Sequence, residues 1–256
     1  MWASDWQKMT KPVLLIRADA NEADAEALKQ LGIDSVIDPY INIAKETSAT
    51  DAVLLLTAIK NAKPNTWLIA TSANAIRCLA ELVGEANLRA AMQNTNLRFA
   101  AVGERTAKSL VELGAQMVAS PEQADSQSLA QLLVQLNPGT AIIPSGQLAM
   151  KELPAALTKA GWQIISGVVY TTVTVPTEPT TAASARADQY SAVIFRSPSA
   201  ARAFLNFVPN PTMALIAAGI TTAKVLEDWG LQAISVALNP TPEAVAQATK
   251  VAIESQ

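Results

Sequence analysis

Short apolar runs alternate with longer amphipathic stretches along almost the whole chain. Val13-Leu14-Leu15-Ile16 reads as a buried strand. A helical pattern from Glu22 to Leu31 stops at Gly32, a capping glycine. Ser35-Val36-Ile37-Asp38 is a second strand, and Pro39-Tyr40-Ile41-Asn42-Ile43 leaves that unit as extended chain. A helix from Ser48 to Lys60, a turn at Lys63-Pro64-Asn65 and the strand Thr66 to Ala70 come next. Thr71-Ser72-Ala73-Asn74 then caps a helix to Val83. After the strand and helix around Gly103, Ser120-Pro121-Glu122 is a loop, Asp125 to Leu136 a helix and Asn137-Pro138-Gly139 a turn. Thr140 to Ile143 is a strand, Pro144-Ser145-Gly146 a polar turn, and Leu148 to Gly161 a helix.

Ile164 to Val175 is longer than a typical strand, which predicts a crossing between two bodies. Beyond the loop Pro176-Thr177-Glu178-Pro179 the theme returns. Ala192 to Phe195 is a strand, and Arg196-Ser197-Pro198-Ser199 opens a helix to Phe207. Leu215-Ile216-Ala217-Ala218-Gly219 leads into another helix, Ala233 to Val236 is a strand, and Asn239 to Glu243 caps the last helix.

Two of these stretches share one spacing. Gly103 and Gly219, Thr106 and Thr222, Ala107 and Ala223, Leu110 and Leu226, and Gly114 and Gly230 are each 116 residues apart. An offset held over several positions signals internal duplication. In each copy an apolar run ends in Gly-x-x-Thr-Ala and opens a helix. Glycine lets a ligand approach the backbone, and the first turn offers unpartnered N–H groups and a partial positive charge. Such a turn accepts a carboxylate or phosphate; its plainer role is a capped strand-to-helix turn.

Regular alternation of strand and helix predicts an α/β fold: two similar doubly wound, flavodoxin-like domains with parallel sheets covered on both faces. Ligands of such sheets bind beyond the carboxyl ends of the strands. Arg17, Thr71-Ser72, Gly103 to Thr106, Ser145-Gly146, Arg196 to Ser199 and Gly219 to Thr222 all sit at ends of that kind.

Composition narrows the chemistry. Half of the 256 residues are hydrophobic and 16% are charged, so a large core is available. A net charge of −3 argues against nucleic-acid binding and leaves any anionic ligand to local sites. There is no histidine, which removes Ser-His-Asp and Cys-His catalysis and histidine metal sites together. Cys78, the single cysteine, falls on a predicted helix as a small core residue, and no internal disulfide can form. Met1 to Lys11 reads as a loose extension without signal-peptide character, and no run is long enough to span a membrane. These features predict a cytoplasmic protein.

The chain resembles uroporphyrinogen-III synthases. The resemblance rests on Ile69-Ala70-Thr71-Ser72-Ala73-Asn74-Ala75, Ala101-Val102-Gly103-Glu104-Arg105-Thr106-Ala107, Ser126 to Leu129 and Ile142-Ile143-Pro144-Ser145-Gly146. Val169-Tyr170, Phe195-Arg196-Ser197-Pro198-Ser199-Ala200 and Gly219-Ile220-Thr221-Thr222-Ala223 complete the set, in the family's order. It implies a cofactor-free, metal-free monomer with two domains joined by a two-stranded linker. Residues 1–42 with 175–256 would form a discontinuous domain, 48–168 the other, and 43–47 with 169–174 the linker strands.

The resemblance also implies a reaction. Hydroxymethylbilane loses its terminal hydroxyl as water. The resulting azafulvene attacks a substituted position of the last ring to give a spiro-pyrrolenine. That ring is inverted, and the macrocycle closes as uroporphyrinogen III. Tyr170 matches the family's linker tyrosine and would help the hydroxyl leave. Thr106, Thr222, Gly103, Gly219 and Thr221 would hold substrate carboxylates or the hydroxyl, as would Thr71, Ser72, Ser145, Gly146, Ser197 and Ser199. Arg17 matches an arginine after the family's first strand, and Arg196 stands where threonine or serine is common; both would bind carboxylate. The family often has Arg-Pro where this chain has Arg17-Ala18. A non-catalytic two-lobed tetrapyrrole or polyanion receptor stays open as the alternative.

Overall fold

A computed structural model describes residues 11–45, 49–149, 151–233, 235–237 and 241–255. The extension before Lys11, residues 46–47 of the expected linker and Asn239-Pro240 of the last cap lie outside the described residues. The first elements are β1 (Val13–Leu15), α1 (Glu22–Gln30), β2 (Ser35–Ile37) and β3 (Ile41–Lys45). Then come α2 (Thr50–Lys60), β4 (Thr66–Ala70), α3 (Ala73–Val83), α4 (Glu85–Met92), β5 (Leu97–Ala101) and α5 (Glu104–Glu112). They are followed by β6 (Val118–Ala119), α6 (Ser126–Val134), β7 (Thr140–Gly146), α7 (Glu152–Lys159) and β8 (Gln163–Thr174). The remainder is α8 (Ala182–Arg186), β9 (Ala192–Phe195), α9 (Pro198–Phe207), β10 (Ala214–Ala217), α10 (Ile220–Asp228), β11 (Ser235–Val236) and α11 (Pro242–Glu254).

The residues group into two compact units. Unit one holds the chain up to Asn42 and from Val173 onward, and unit two holds Ile43–Thr172. The sheet of unit one has the order β11-β10-β9-β1-β2, with every pairing parallel. Alternate residues of its strands enter opposite cores. Leu14, Ile16, Val193, Phe195 and Leu215 pack under α9 and α10, while Val13, Leu15, Ile194 and Ile216 pack under α1 and α11. A strand buried on both faces must be apolar throughout, which is why these runs lack polar alternation.

The second sheet has the order β3-β8-β7-β4-β5-β6, and its pairings from β8 to β6 are parallel. Leu68, Ala70, Phe99, Ala101 and Ile142 face α2 to α5, and Trp67, Ile69, Ala100, Ala141 and Ile143 face α6 and α7. Both sheets are doubly wound. In each, the chain reverses direction beside one central strand, β1 in the first and β4 in the second. That reversal opens a crevice at the strand carboxyl ends.

The two Gly-x-x-Thr stretches and the two serine caps take similar local conformations. Helices α5 and α10 are both nine residues long and start one residue after Gly103 and Gly219. Each is followed by a glycine with positive φ, Gly114 at 107° and Gly230 at 74°. Ser72 and Ser197 cap α3 and α9 with the same φ of −156°.

Two expectations are corrected. The expected polar turn Pro144-Ser145-Gly146 is strand. β7 stays paired with β8 through Pro144↔Gly167 and Ser145↔Val168, then shifts register so that Gly146 pairs with Tyr170. Helix α7 begins at Glu152 rather than at Leu148, because a turn intervenes in which the Ala149 N–H donates to the Gly146 carbonyl.

Candidate active site

In unit two, three strand ends converge. Ser72 follows β4, and its Oγ accepts the Asn74 N–H at 3.1 Å to cap α3, a bond of about 1 kcal/mol. On β8 the Tyr170 hydroxyl donates to Ser72 Oγ at 3.4 Å. The Tyr170 ring lies over Gly146: a Cβ on that glycine would sit 2.6 Å from Tyr170 Cζ and 2.9 Å from its Oη. Gly146 is needed for what it lacks, a side chain, rather than for unusual backbone freedom. Its neighbour Ser145 donates from Oγ to the Gly167 carbonyl at 3.3 Å. Thr71 is partly buried beside Ser72.

Other groups fix β8 around the tyrosine. The Asp51 carboxylate accepts the Val168 N–H at 2.7 Å, and the Gln147 N–H donates to the Tyr170 carbonyl at 2.9 Å. Neither Asp51 nor Gln147 belongs to a recognisable pattern; only packing reveals them.

The two Gly-x-x-Thr turns differ in their surroundings. A Cβ on Gly103 would lie 2.8 Å from the Ala124 Cβ, whereas one on Gly219 would meet nothing within 4 Å. Thr106 and Thr222 are buried, and Thr221 is exposed. Gly103 stands close to the first group, since the Val102 N–H donates to the Ala70 carbonyl at 3.0 Å.

In unit one, Arg17 and Arg196 leave the ends of adjacent strands. Leu15 of β1 pairs with Ile194 of β9, so the two arginines follow at equivalent positions. Both meet Asp24 of α1. Arg196 forks onto it, with Nε donating to Oδ2 at 2.9 Å and Nη2 to Oδ1, and Arg17 Nη1 stands 4.0 Å from Oδ2. Asn21, buried at the N-cap of α1, accepts the Arg17 N–H at 3.2 Å and donates to the Arg17 carbonyl at 3.0 Å. Ser197 caps α9 by accepting the Ala200 N–H at 3.2 Å, and its Oγ shares a hydrogen bond with Ser199 Oγ at 3.0 Å. Sequence reading found the arginines and missed Asp24, which sits in an ordinary amphipathic helix.

Away from all these strand ends, a cavity of about 650 Å³ lies at the amino-terminal halves of β4 and β5, lined by Trp67, Met92, Leu97, Arg98, Phe99 and Met117 among others. Among the described residues no helix is long and apolar enough to cross a membrane.

The chain is similar in fold to two solved proteins. One is a mutant uroporphyrinogen III synthase from Thermus thermophilus, 18% identical, with a TM-score of 0.60 over 96% of this chain and 100% of that one. The other is a uroporphyrinogen-III synthetase from Helicobacter pylori, 19% identical, with a TM-score of 0.64 over 96% of this chain and 100% of that one. No curated protein matches by sequence. The model of the family described as uroporphyrinogen-III synthase HemD matches residues 22–247, nearly the whole length, and the chain therefore belongs to the uroporphyrinogen-III synthase family.

Proposed function

We propose that this chain cyclises hydroxymethylbilane to uroporphyrinogen III and that Tyr170 assists the departing hydroxyl. The observation that carries the residue assignment is the seat of Tyr170, whose ring rests on Gly146 while its hydroxyl reaches Ser72. A phenol is a far weaker acid than a carboxylic acid or an imidazolium. It serves best as a fixed hydrogen-bond donor to the oxygen that leaves as water. Its long bond to Ser72 is easily exchanged for one to substrate, and the Ser72 hydroxyl still has a proton to donate. Loss of water gives the azafulvene. Attack from the substituted carbon of the last ring gives the spiro-pyrrolenine, and inversion and closure follow.

Control of the product is a matter of positioning. Spontaneous closure gives the type I isomer, so the protein must hold the last ring with its substituted carbon towards the electrophile. The polycarboxylate substrate offers many handles for this. We assign carboxylate contacts to Ser145, to the serines at the starts of α3 and α9, and to the first-turn amides after Gly103 and Gly219. Thr106 and Thr222, being buried, support those turns from within. Thr71 and Thr221 supply further hydroxyls, Arg17 supplies a cation, and Arg196 acts through the ion pair it forms. The same reading makes the protein a monomer working in the cytoplasm, where the single buried Cys78 stays reduced.

The test is incubation with hydroxymethylbilane, followed by oxidation and chromatography of the porphyrin isomers. The type III isomer is expected in excess; type I alone would make the protein a tetrapyrrole receptor. Replacing Tyr170 by Phe should lower kcat by about ten- to a hundredfold, at or below the low end of the roughly 10²–10⁴-fold that positioned proton donors supply, as suits a hydrogen bond without full proton transfer.

A further inference from the structure

The carboxylate of Asp51 is used in an unusual way for its place. It lies in the first turn of α2, where an acidic side chain ordinarily serves its own helix by facing the positive end. Here it reaches across to β8 and accepts the Val168 N–H at 2.7 Å, 117 residues away along the chain. β8 lies between β3 and β7, and the amides of such a strand ordinarily go to carbonyls of its neighbours. The close approach is built into the sequence. A Cβ on Gly167 would sit 2.9 Å from the Asp51 Cβ and 3.1 Å from Leu55 Cδ1, so the missing side chain lets α2 lie against β8 at this point.

We infer that Asp51 is a positioning residue for Tyr170: its carboxylate pins β8 just before an irregularity that turns the phenol towards Gly146 and Ser72. The inference rests on the proposed function for the role of Tyr170. Its geometry lies within unit two. Up to Ser145↔Val168, β7 and β8 advance together, one residue for one. The next pair is Gly146↔Tyr170, so Val169 is an extra residue on β8. An even step would set Val169 against Gly146 and carry Tyr170 on to Gln147. Bulges of this kind re-aim a side chain and are common beside active sites. They also interrupt the ladder, so the strand must be held by other groups. Ser145 Oγ donates to the Gly167 carbonyl at 3.3 Å before the extra residue, and the Gln147 N–H donates to the Tyr170 carbonyl at 2.9 Å after it. Val169 itself is fully buried in the core beneath α2. The bond from Val168 to Asp51 is the shortest of the three, and it has an ionised acceptor, which strengthens a hydrogen bond about twofold.

The test compares Asp51→Ala and Asp51→Asn, each in wild type and in Tyr170→Phe. Asparagine keeps an oxygen that can accept the Val168 N–H, and alanine keeps none. Folding is checked by circular dichroism and a cooperative melt. Asp51→Ser, whose oxygen sits one bond closer to the main chain, stands in should Asp51→Ala fail that check. With hydroxymethylbilane, kcat for type III product should fall about tenfold in Asp51→Ala while KM stays within about twofold, and Asp51→Asn should recover most of the loss. In Tyr170→Phe the alanine should cost less than about twofold more. The chain has three tyrosines, so labelling with fluorotyrosine gives one fluorine resonance for each, and that of Tyr170 is the one missing from Tyr170→Phe. It should shift in Asp51→Ala and return in Asp51→Asn. Wild-type kcat or an unmoved Tyr170 resonance in a folded Asp51→Ala protein would overturn the inference. So would an asparagine no better than alanine, or a full independent loss in Tyr170→Phe. A wild type that makes only type I product would defeat the proposed function instead, and the fluorine resonance would then decide this inference alone.

Discussion

Gly146→Ala isolates the seat of Tyr170. Gly146 has no positive φ, so its backbone already suits alanine, and the perturbation is the added methyl alone. That methyl would lie 2.6 Å from Tyr170 Cζ, 2.9 Å from Cε2 and 2.9 Å from Oη. Carbon atoms at rest stand about 3.5–4.0 Å apart, so the ring must retreat by about 1 Å. Tyr170 is only partly buried and can swing, which puts the stability cost near the low end of the roughly 1–3 kcal/mol typical of overpacking. Function should suffer more than stability, because a displacement of about 1 Å can cost as much as about 10²-fold in rate. The assay is kcat for type III formation beside a thermal melt, in wild type, Gly146→Ala, Tyr170→Phe and the double variant. Both single variants should fall by about ten- to a hundredfold, and the double variant should be no worse than the poorer single. Wild-type kcat in a folded Gly146→Ala protein would refute the reasoning, as would losses that multiply in the double variant.

The duplicated glycines should behave differently from one another. Gly103→Ala meets Ala124 at 2.8 Å and should lower stability by about 1–3 kcal/mol in a denaturant titration. Gly219→Ala has open space and extended backbone, so its melt should match wild type while KM for hydroxymethylbilane rises. Tyr40 gives a pH prediction. Burial pushes its phenol from 10.0 up to about 12, with the Thr181 hydrogen bond acting in the opposite direction. The unfolded chain therefore loses the Tyr40 proton first. Its contribution to stability is complete below pH 10 and disappears as pH rises towards 12. Denaturation midpoints should fall over that window, and Tyr40→Phe should flatten the fall in part, since burial raises the Tyr190 phenol as well; an unchanged slope would contradict it.

What the sequence revealed depended on local signals. Strands such as Thr66 to Ala70 and Ala192 to Phe195 stand out because burial on both faces leaves Thr66 as the single polar residue in them. Ser72 and Ser197 were legible as caps because their work is done within three residues. Helix α4 was missed because it starts directly at Gly84, where α3 ends, with no loop between. β7 was cut short because Pro144 reads as a breaker, while its pairing with β8 is settled by residues far along the chain. The candidate site divides in the same way. The serines and glycines stand out by their places at strand ends, and Tyr170 is singled out by the family resemblance. The reason for Gly146, a ring laid across it, was not. Asp24 lies 172 residues from Arg196, and only the parallel pairing of β1 with β9 brings the arginines side by side onto one acid.

The central claim is that substrate is held at the carboxyl ends of the strands, by main-chain amides and small hydroxyls. A map of backbone amide shifts in isotope-labelled protein titrated with uroporphyrin III tests it most directly. The largest shifts should fall on Ser72, Gly103 to Thr106, Ser145 to Gln147 and Gly219 to Thr222. Shifts confined to the residues around the cavity of Trp67, Arg98 and Met117, with those strand ends unmoved, would contradict it.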